Sequence, residues 1–205
     1  MPTAVSSRPD ALRNRAALVK AATSLIARDP HASIASIAEA AGISRRAVYG
    51  HFPDRGALVA ELVRSGAERF NALAAESAPD EPAPLALARL TARLWEEAAQ
   101  VQVAASLALD DAHIEQTAYI LAPVRRRLMA IVREGQDAGT LRTDVTAATL
   151  ARLIEEAARM VITRIDASSS HARGLAVRTV LSIAGLSWRE TDALLEAHPE
   201  LAEED

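Results

Sequence analysis

Apolar residues recur along this chain at helical spacing almost everywhere, and no stretch alternates in the manner of a half-buried strand. Leu18, Ala22, Leu25 and Ile26 fall at i, i+4, i+7 and i+8 on one face of a first helix expected over 10–28, which Pro30 should stop. A short helix follows over 34–40, with Ser33 as its N-cap and Ile34, Ile37, Ala38 and Ala41 as its apolar face. Gly42 supplies a residue that accepts positive φ, Ser44 can cap a third helix to His51, and Pro53-Asp54 starts a fourth. Leu58, Leu62, Phe70 and Leu73 mark the buried side of that fourth helix. The pattern requires an all-α fold.

Prolines divide the rest. "SAPDEPAP" at 77–84 is the clearest break, read as a loop between helices. Beyond it the spacing predicts helices near 84–108, 112–137, 145–165, 171–185 and 188–197, with Pro123 kinking or splitting the second. "DAGTLRTD" at 137–144 reads as a turn, and Ser187 with Glu190 forms an S-x-x-E capping box. The acidic ending "HPELAEED" is expected to fray. No internal repeat is visible.

Several function classes are removed by composition. There is no cysteine, so disulfides, thiolate metal sites and cysteine nucleophiles are excluded. The five histidines form no HExxH, and no P-loop, dinucleotide glycine pattern or G-x-S-x-G is present. Asp110, Asp111, His113 and Glu115 in "DDAHIE" lack the i, i+4 spacing of helical ligand pairs and read better as a favourable helix start. Neither an enzyme nor a cofactor is expected. No apolar run approaches the roughly 20 residues that span a bilayer, and "MPTAVSSRPD" has no apolar secretion segment, so a cytoplasmic protein away from membranes is expected.

Charge separates along the chain. The first 60 residues carry +4 and the remaining 145 carry −8, within a total of −4. A basic module on an acidic body suits an end that meets a polyanion, although chance clustering on a solvated face gives the same count.

The two short helices meeting at Gly42 make a helix-turn-helix, whose second helix can enter a DNA major groove. In "ISRRAVYGHF" (43–52), Val48 and Phe52 fall on one side, with Ile43 closing over them. Arg45 and Tyr49 form another i, i+4 pair, with Arg46 beside Arg45 on the outward surface. A guanidinium can grip guanine O6 and N7, or a phosphate, as a planar fork. Tyr49, His51 and Arg55 suit phosphate oxygens. The alternative is that both arginines are ordinary solvated charges and Tyr49 a half-buried core aromatic.

With "LVKAATSLIARD" (18–29), the stretch "SIASIAEAAGISRRAVYGHFPDRGALV" (33–59) resembles the N-terminal domain of TetR-family transcriptional regulators. Order and spacing are kept over some 50 positions, about 8–65. Beyond residue 77 only length and helical pattern agree. The resemblance implies a three-helix DNA-binding domain at 8–55, a connecting fourth helix at 54–77, and a larger ligand-binding and dimerisation domain at 78–205. It implies base-edge or phosphate contacts from Arg45, Arg46 and Tyr49, and phosphate contacts from Ser33, Ser44, His51 and Arg55. Two departures stand out: Gly50 where many members have a bulkier residue, and Gly56 where an acidic residue is common.

It further implies a homodimeric repressor reading a palindromic double-stranded DNA operator and released by a small-molecule effector. Stripes of Leu150, Leu153, Ile154, Ala157 and Val161, and of Gly174, Val177, Leu181 and Ala184, are the candidate dimer surface, or else serve the chain's own core. Trp95, Gln102, His113, Tyr119, Met129 and Met160 are the candidate pocket lining, which would favour an apolar or amphipathic effector. "RRR" at 125–127 reads as a solvated helix face. The competing function is a helical interaction protein whose basic end grips an acidic partner.

Overall fold

A computed structural model describes residues 8–29, 31–75, 81–100, 120–164 and 171–202. Its described elements are all helical: α1 (Arg8–Arg28), α2 (Ile34–Ala40), α3 (Arg45–His51), α4 (Arg55–Ala75), α5 (Ala83–Gln100), α6 (Ala122–Asp137), α7 (Ala147–Arg164), α8 (Ala172–Ala184), α9 (Trp188–Ala197) and the 3-10 turn Pro199–Leu201. None of these helices is long and apolar enough to cross a membrane.

Two apolar cores form, and α4 contributes to both. The first joins Leu18, Ala22 and Ile26 of α1 to Ile37 and Ala38 of α2, Val48 and Phe52 at α3, and Leu58, Val59, Leu62 and Val63 of α4. Further along α4, Ala74 enters the second core, built on Leu87, Leu90, Ile131, Val132, Leu150, Ile154, Val177, Val180 and Leu181. At roughly 1.5 Å per residue α4 runs about 30 Å, so it is one rigid lever between the two. In the body α5 packs along α8, and α7 lies against α6 and α8.

Local chemistry places several helix starts. Asp54 Oδ1 accepts the Ala57 amide at 2.7 Å, capping α4 where Gly56 leaves a weak first turn. Ser187 and Glu190 form the reciprocal capping box of α9. Pro123 splits the stretch expected as one helix over 112–137: residue 120 is helical, Leu121 is a turn residue, and α6 begins at Ala122 with Pro123 in its first turn, where its missing N–H has no partner to lose.

The C-terminal end corrects the expectation of fraying as far as residue 202. Leu201 is buried in the body core, and Ala202 lies so close to α8 that a Cβ on Gly174 would sit 3.3 Å from its carbonyl oxygen. The small residue at Gly174 therefore admits the chain's own C-terminal turn.

Candidate functional site

The helix-turn-helix is assembled by its caps and its turn. Ser33 Oγ accepts the Ser36 amide at 3.1 Å, and Ser44 Oγ accepts the Ala47 amide at 3.3 Å, fixing the starts of α2 and α3. Between them Gly42 takes φ +66°, a region that side chains with a Cβ rarely enter. The Ile43 amide then returns to Ala38 O at 3.0 Å, closing α2 and aiming α3.

That aim decides what α3 shows. Val48 is fully buried and Phe52 is 2 % exposed, so the inward side of α3 is committed to the first core. Arg45, Arg46 and Gly50 are exposed, and Tyr49 is 44 % exposed. The Arg45 guanidinium carbon lies 5.8 Å from the centroid of the Tyr49 ring, within cation–π range. Arg45 is thus partly pre-ordered one helical turn from its aromatic neighbour. His51 is half-buried. Arg55 is also half-buried, and its Nε donates to Ala32 O at 3.4 Å, tying the start of α4 to the α1–α2 connection. This tie adds a structural role to a side chain expected only to meet phosphate.

Sequence reasoning missed Arg15. Its guanidinium stacks over the Phe52 ring at 4.6 Å and pairs with Glu61 at 3.0 Å, so one side chain of α1 braces the end of α3 and the side of α4. Glu61 also accepts from Arg64 Nε at 3.0 Å. The Arg64 hydrogen bond, helped by the Arg15 and Arg64 charges against the opposing effect of burial, holds the Glu61 carboxyl below its usual range. No local pattern announces this brace, because Phe52 and Glu61 lie tens of positions beyond Arg15.

Between the first core and the body lies a cavity of about 190 Å³. Val19 and Thr23 of α1, Leu62, Gly66 and Phe70 of α4, and Leu87, Leu90, Thr91 and Trp95 of α5 form one side. Val124, Arg125 and Leu128 of α6, Ile154, Glu155 and Arg159 of α7, and Val180 of α8 form the other. Trp95 is in the lining, as expected, and 3 % exposed. Met129 is instead packed against the body core, and Met160 is 49 % exposed at the surface. Both leave the candidate lining because their helix faces point elsewhere. Gln102, His113 and Tyr119 lie outside the described residues, as does the DDAHIE segment. The arginine run is also corrected: Arg126 is exposed, but Arg125, its side chain 38 % exposed, borders the cavity and grips Glu155 through Nε at 3.0 Å to each carboxylate oxygen.

The proposed dimer stripe divides in the same way. Leu150, Ile154, Ala157, Val161, Val177, Leu181 and Ala184 are buried inside the single chain, together with Gly174. They serve the intrachain core, because α7 and α8 turn their most continuous apolar faces onto α5 and α6. Of the expected stripe only Leu153 remains exposed, at 45 %. Met160 on α7 and Leu175 on α8 are the other large apolar side chains that these two helices expose.

Comparison with known proteins agrees with this geometry. The family of bacterial regulatory proteins designated tetR matches residues 18–62, which contain all of α2 and α3. The fatty acid degradation regulator FadR from Bacillus halodurans shares the fold with a TM-score of 0.72 at 17 % identity, over 84 % of this chain and 95 % of that one. The TetR-family regulator PfmR from Thermus thermophilus gives 0.69 at 19 % identity, over 83 % and 98 %. FadR from Bacillus subtilis, solved in complex with stearoyl-CoA, gives 0.67 at 17 % identity, over 83 % and 97 %. No curated protein matches at the level of sequence. Residues 18–62 thus carry the helix-turn-helix domain of the tetR family of bacterial regulatory proteins, and the chain as a whole shares the all-helical fold of the regulators named above.

Proposed function

We propose that the chain is a ligand-responsive, sequence-specific DNA-binding transcriptional regulator, a repressor acting as a homodimer on a palindromic operator. The observation that carries this reading is the two-sidedness of α3. Val48 and Phe52 anchor it from beneath, and Arg45, Arg46 and Tyr49 stand outward on its first turns. Ser33 and Ser44, exposed at the two helix starts, lie where phosphates flanking a major groove would meet them. The +4 charge of the first 60 residues supplies attraction to DNA that the acidic body does not.

One α3 reads one half-site, which gives dimerisation a motive. Two copies on a two-fold axis present two reading helices to half-sites about 34 Å apart, or a multiple of it. Leu153, Met160 and Leu175 form the apolar part of the surface we assign to the partner copy.

The cavity supplies the control. A ligand there touches α1 and α4 of the N-terminal half together with α5 to α8 of the body. It can therefore favour one placement of the reading heads over another, and only such a differential affinity shifts the equilibrium. The mostly aliphatic lining supports an apolar or amphipathic effector, in keeping with the acyl ligand held by the FadR of similar fold.

The test is operator binding by Arg45→Ala and Arg46→Ala. Loss of a bidentate base contact costs about 1–3 kcal/mol per half-site, and loss of a phosphate contact lowers the salt slope by about one per half-site. Both variants should retain wild-type helicity, because both side chains are exposed. Operator affinity and salt slope unchanged in both would refute the reading. Equal competition by an acidic protein would favour the interaction-protein alternative.

A further inference from the structure

The charged groups on the walls of the cavity are already matched. Arg69 pairs with Glu97, and Arg125 Nε donates to both oxygens of Glu155 at 3.0 Å. Arg159 lies 3.7 Å from Glu155 and 3.7 Å from Glu156. Three guanidiniums thus stand against three carboxylates. A charged head of either sign would leave water here without meeting an unmatched counter-charge, and that transfer is costly. Most of the remaining lining is aliphatic, so the cavity suits an uncharged ligand.

The hydroxyls decide what polar group such a ligand can bring. Among the described residues Thr23, Ser65 and Thr91 carry hydroxyls into the lining. Thr23 and Ser65 also line a polar groove between α1, α4 and α5, beside Arg15, Lys20 and Glu61. Thr91 stands outside that groove and is 9 % exposed. Its Oγ1 donates to Leu87 O at 2.8 Å, so its proton is spent within α5 and only its lone pairs are left. An oxygen in that state accepts and does not donate. Shielded from water, a hydrogen bond to it is stronger than the same bond made in solvent.

We propose that the cavity binds a compact, uncharged ligand bearing a hydroxyl, which donates to Thr91 Oγ1 while the apolar body lies against Leu87, Leu90 and Val180. This deepens the effector reading above and rests on the same cavity. A ketone, ester or ether of like shape brings only acceptors, and at Thr91 it meets another acceptor. A cavity of about 190 Å³ is below the ~300–1,000 Å³ of typical drug-sized pockets, so the apolar body is small.

The experiment uses the full chain carrying Trp188→Phe, which removes a surface tryptophan and leaves Trp95, one turn from Thr91 on α5, as the only indole. Octan-1-ol and its isomer 1-methoxyheptane hold the same atoms, and only the alcohol can donate. Octanoate and octylammonium place a charge on a chain of like length. Octan-1-ol should change Trp95 fluorescence saturably and bind roughly 2- to 12-fold more tightly than the ether, the worth of one neutral hydrogen bond. Both ions should bind at least about tenfold more weakly than the alcohol. Thr91→Val keeps the shape and removes the oxygen, so the preference for alcohol over ether should vanish. Thr91→Ser should keep that preference, and Thr23→Val should leave it unchanged. No saturable binding of octan-1-ol, an ether or an ion that binds as tightly, or an undiminished preference in Thr91→Val would each overturn the proposal. The comparison of alcohol, ether and ions needs no change at Thr91, so it decides the matter even if Thr91→Val does not fold. No DNA enters the measurement, so its failure leaves the α3 reading standing. Alcohol binding that left operator affinity unchanged would refute control through the cavity and not this site.

Discussion

A glycine-to-alanine exchange made at two helical positions should act with opposite signs. In an exposed helix interior alanine is favoured over glycine by about 0.5–1 kcal/mol, through the lost freedom of the unfolded chain. Gly50 lies on the exposed side of α3, has no atom within 4 Å of where a Cβ would stand, and needs no positive φ. Gly50→Ala therefore keeps the favourable term, reduced by its nearness to the helix end, and should stabilise by up to about 1 kcal/mol.

Gly135, inside α6, meets the contrary condition. A Cβ there would lie 2.4 Å from Leu141 Cγ, 2.5 Å from its Cδ1 and 2.9 Å from Ala83 Cβ. Leu141 and Ala83 are both buried in the body core, so neither can swing into solvent. Overpacking of this kind costs about 1–3 kcal/mol. Set against a propensity gain of about 0.5–1 kcal/mol, the balance for Gly135→Ala is a net loss of up to about 2.5 kcal/mol.

Thermal unfolding at matched protomer concentration is the assay, because association would itself shift Tm. For a chain of this size 1 kcal/mol moves Tm by about 2–4 °C, so the two variants should lie on opposite sides of wild type. Equal shifts of the same sign would refute the argument that local space, and not helix propensity, sets the outcome.

Acid should act through the Arg15–Glu61–Arg64 brace. A carboxyl held below its usual range adds stability above that range, and the contribution is lost as pH falls through the lowered value. Glu61→Gln should thus cost under about 1 kcal/mol at neutral pH, and in urea titrations the gap to wild type should close as acid protonates the wild-type carboxyl; an equal gap at neutral and acid pH would contradict it. Leu153→Arg or Met160→Arg should convert a dimer to a folded monomer by light scattering, since both side chains are exposed in the single chain. A dimer that persists in both variants would remove that face of α7 from the interface.

Local rules were legible in the sequence wherever the partner lay a few residues away. The caps at Ser33, Ser44, Asp54 and Ser187, the turn at Gly42 and the two sides of α3 all follow from spacing and side-chain chemistry over one or two helical turns. Which residues line the cavity and which apolar stripes stay inside the chain is not legible in the sequence, for the opposite reason. A helical stripe states that a face is apolar and not what covers it, so Leu150 and Val177 could not be told from true surface residues. Likewise three consecutive arginines look alike in sequence, yet they point about 100° apart on a helix, and only Arg125 meets Glu155 on α7.

The sequence by itself determined an all-helical chain with a capped helix-turn-helix whose arginines face outward, because those features need only near neighbours and a 3.6-residue period. Tertiary structure alone decided that Arg15 braces Phe52 and Glu61, that Arg125, Glu155 and Trp95 share one cavity, and that α7 and α8 spend most of their apolar residues inside. Those contacts join residues tens of positions apart, and their existence depends on the crossing of whole helices, which no local pattern encodes.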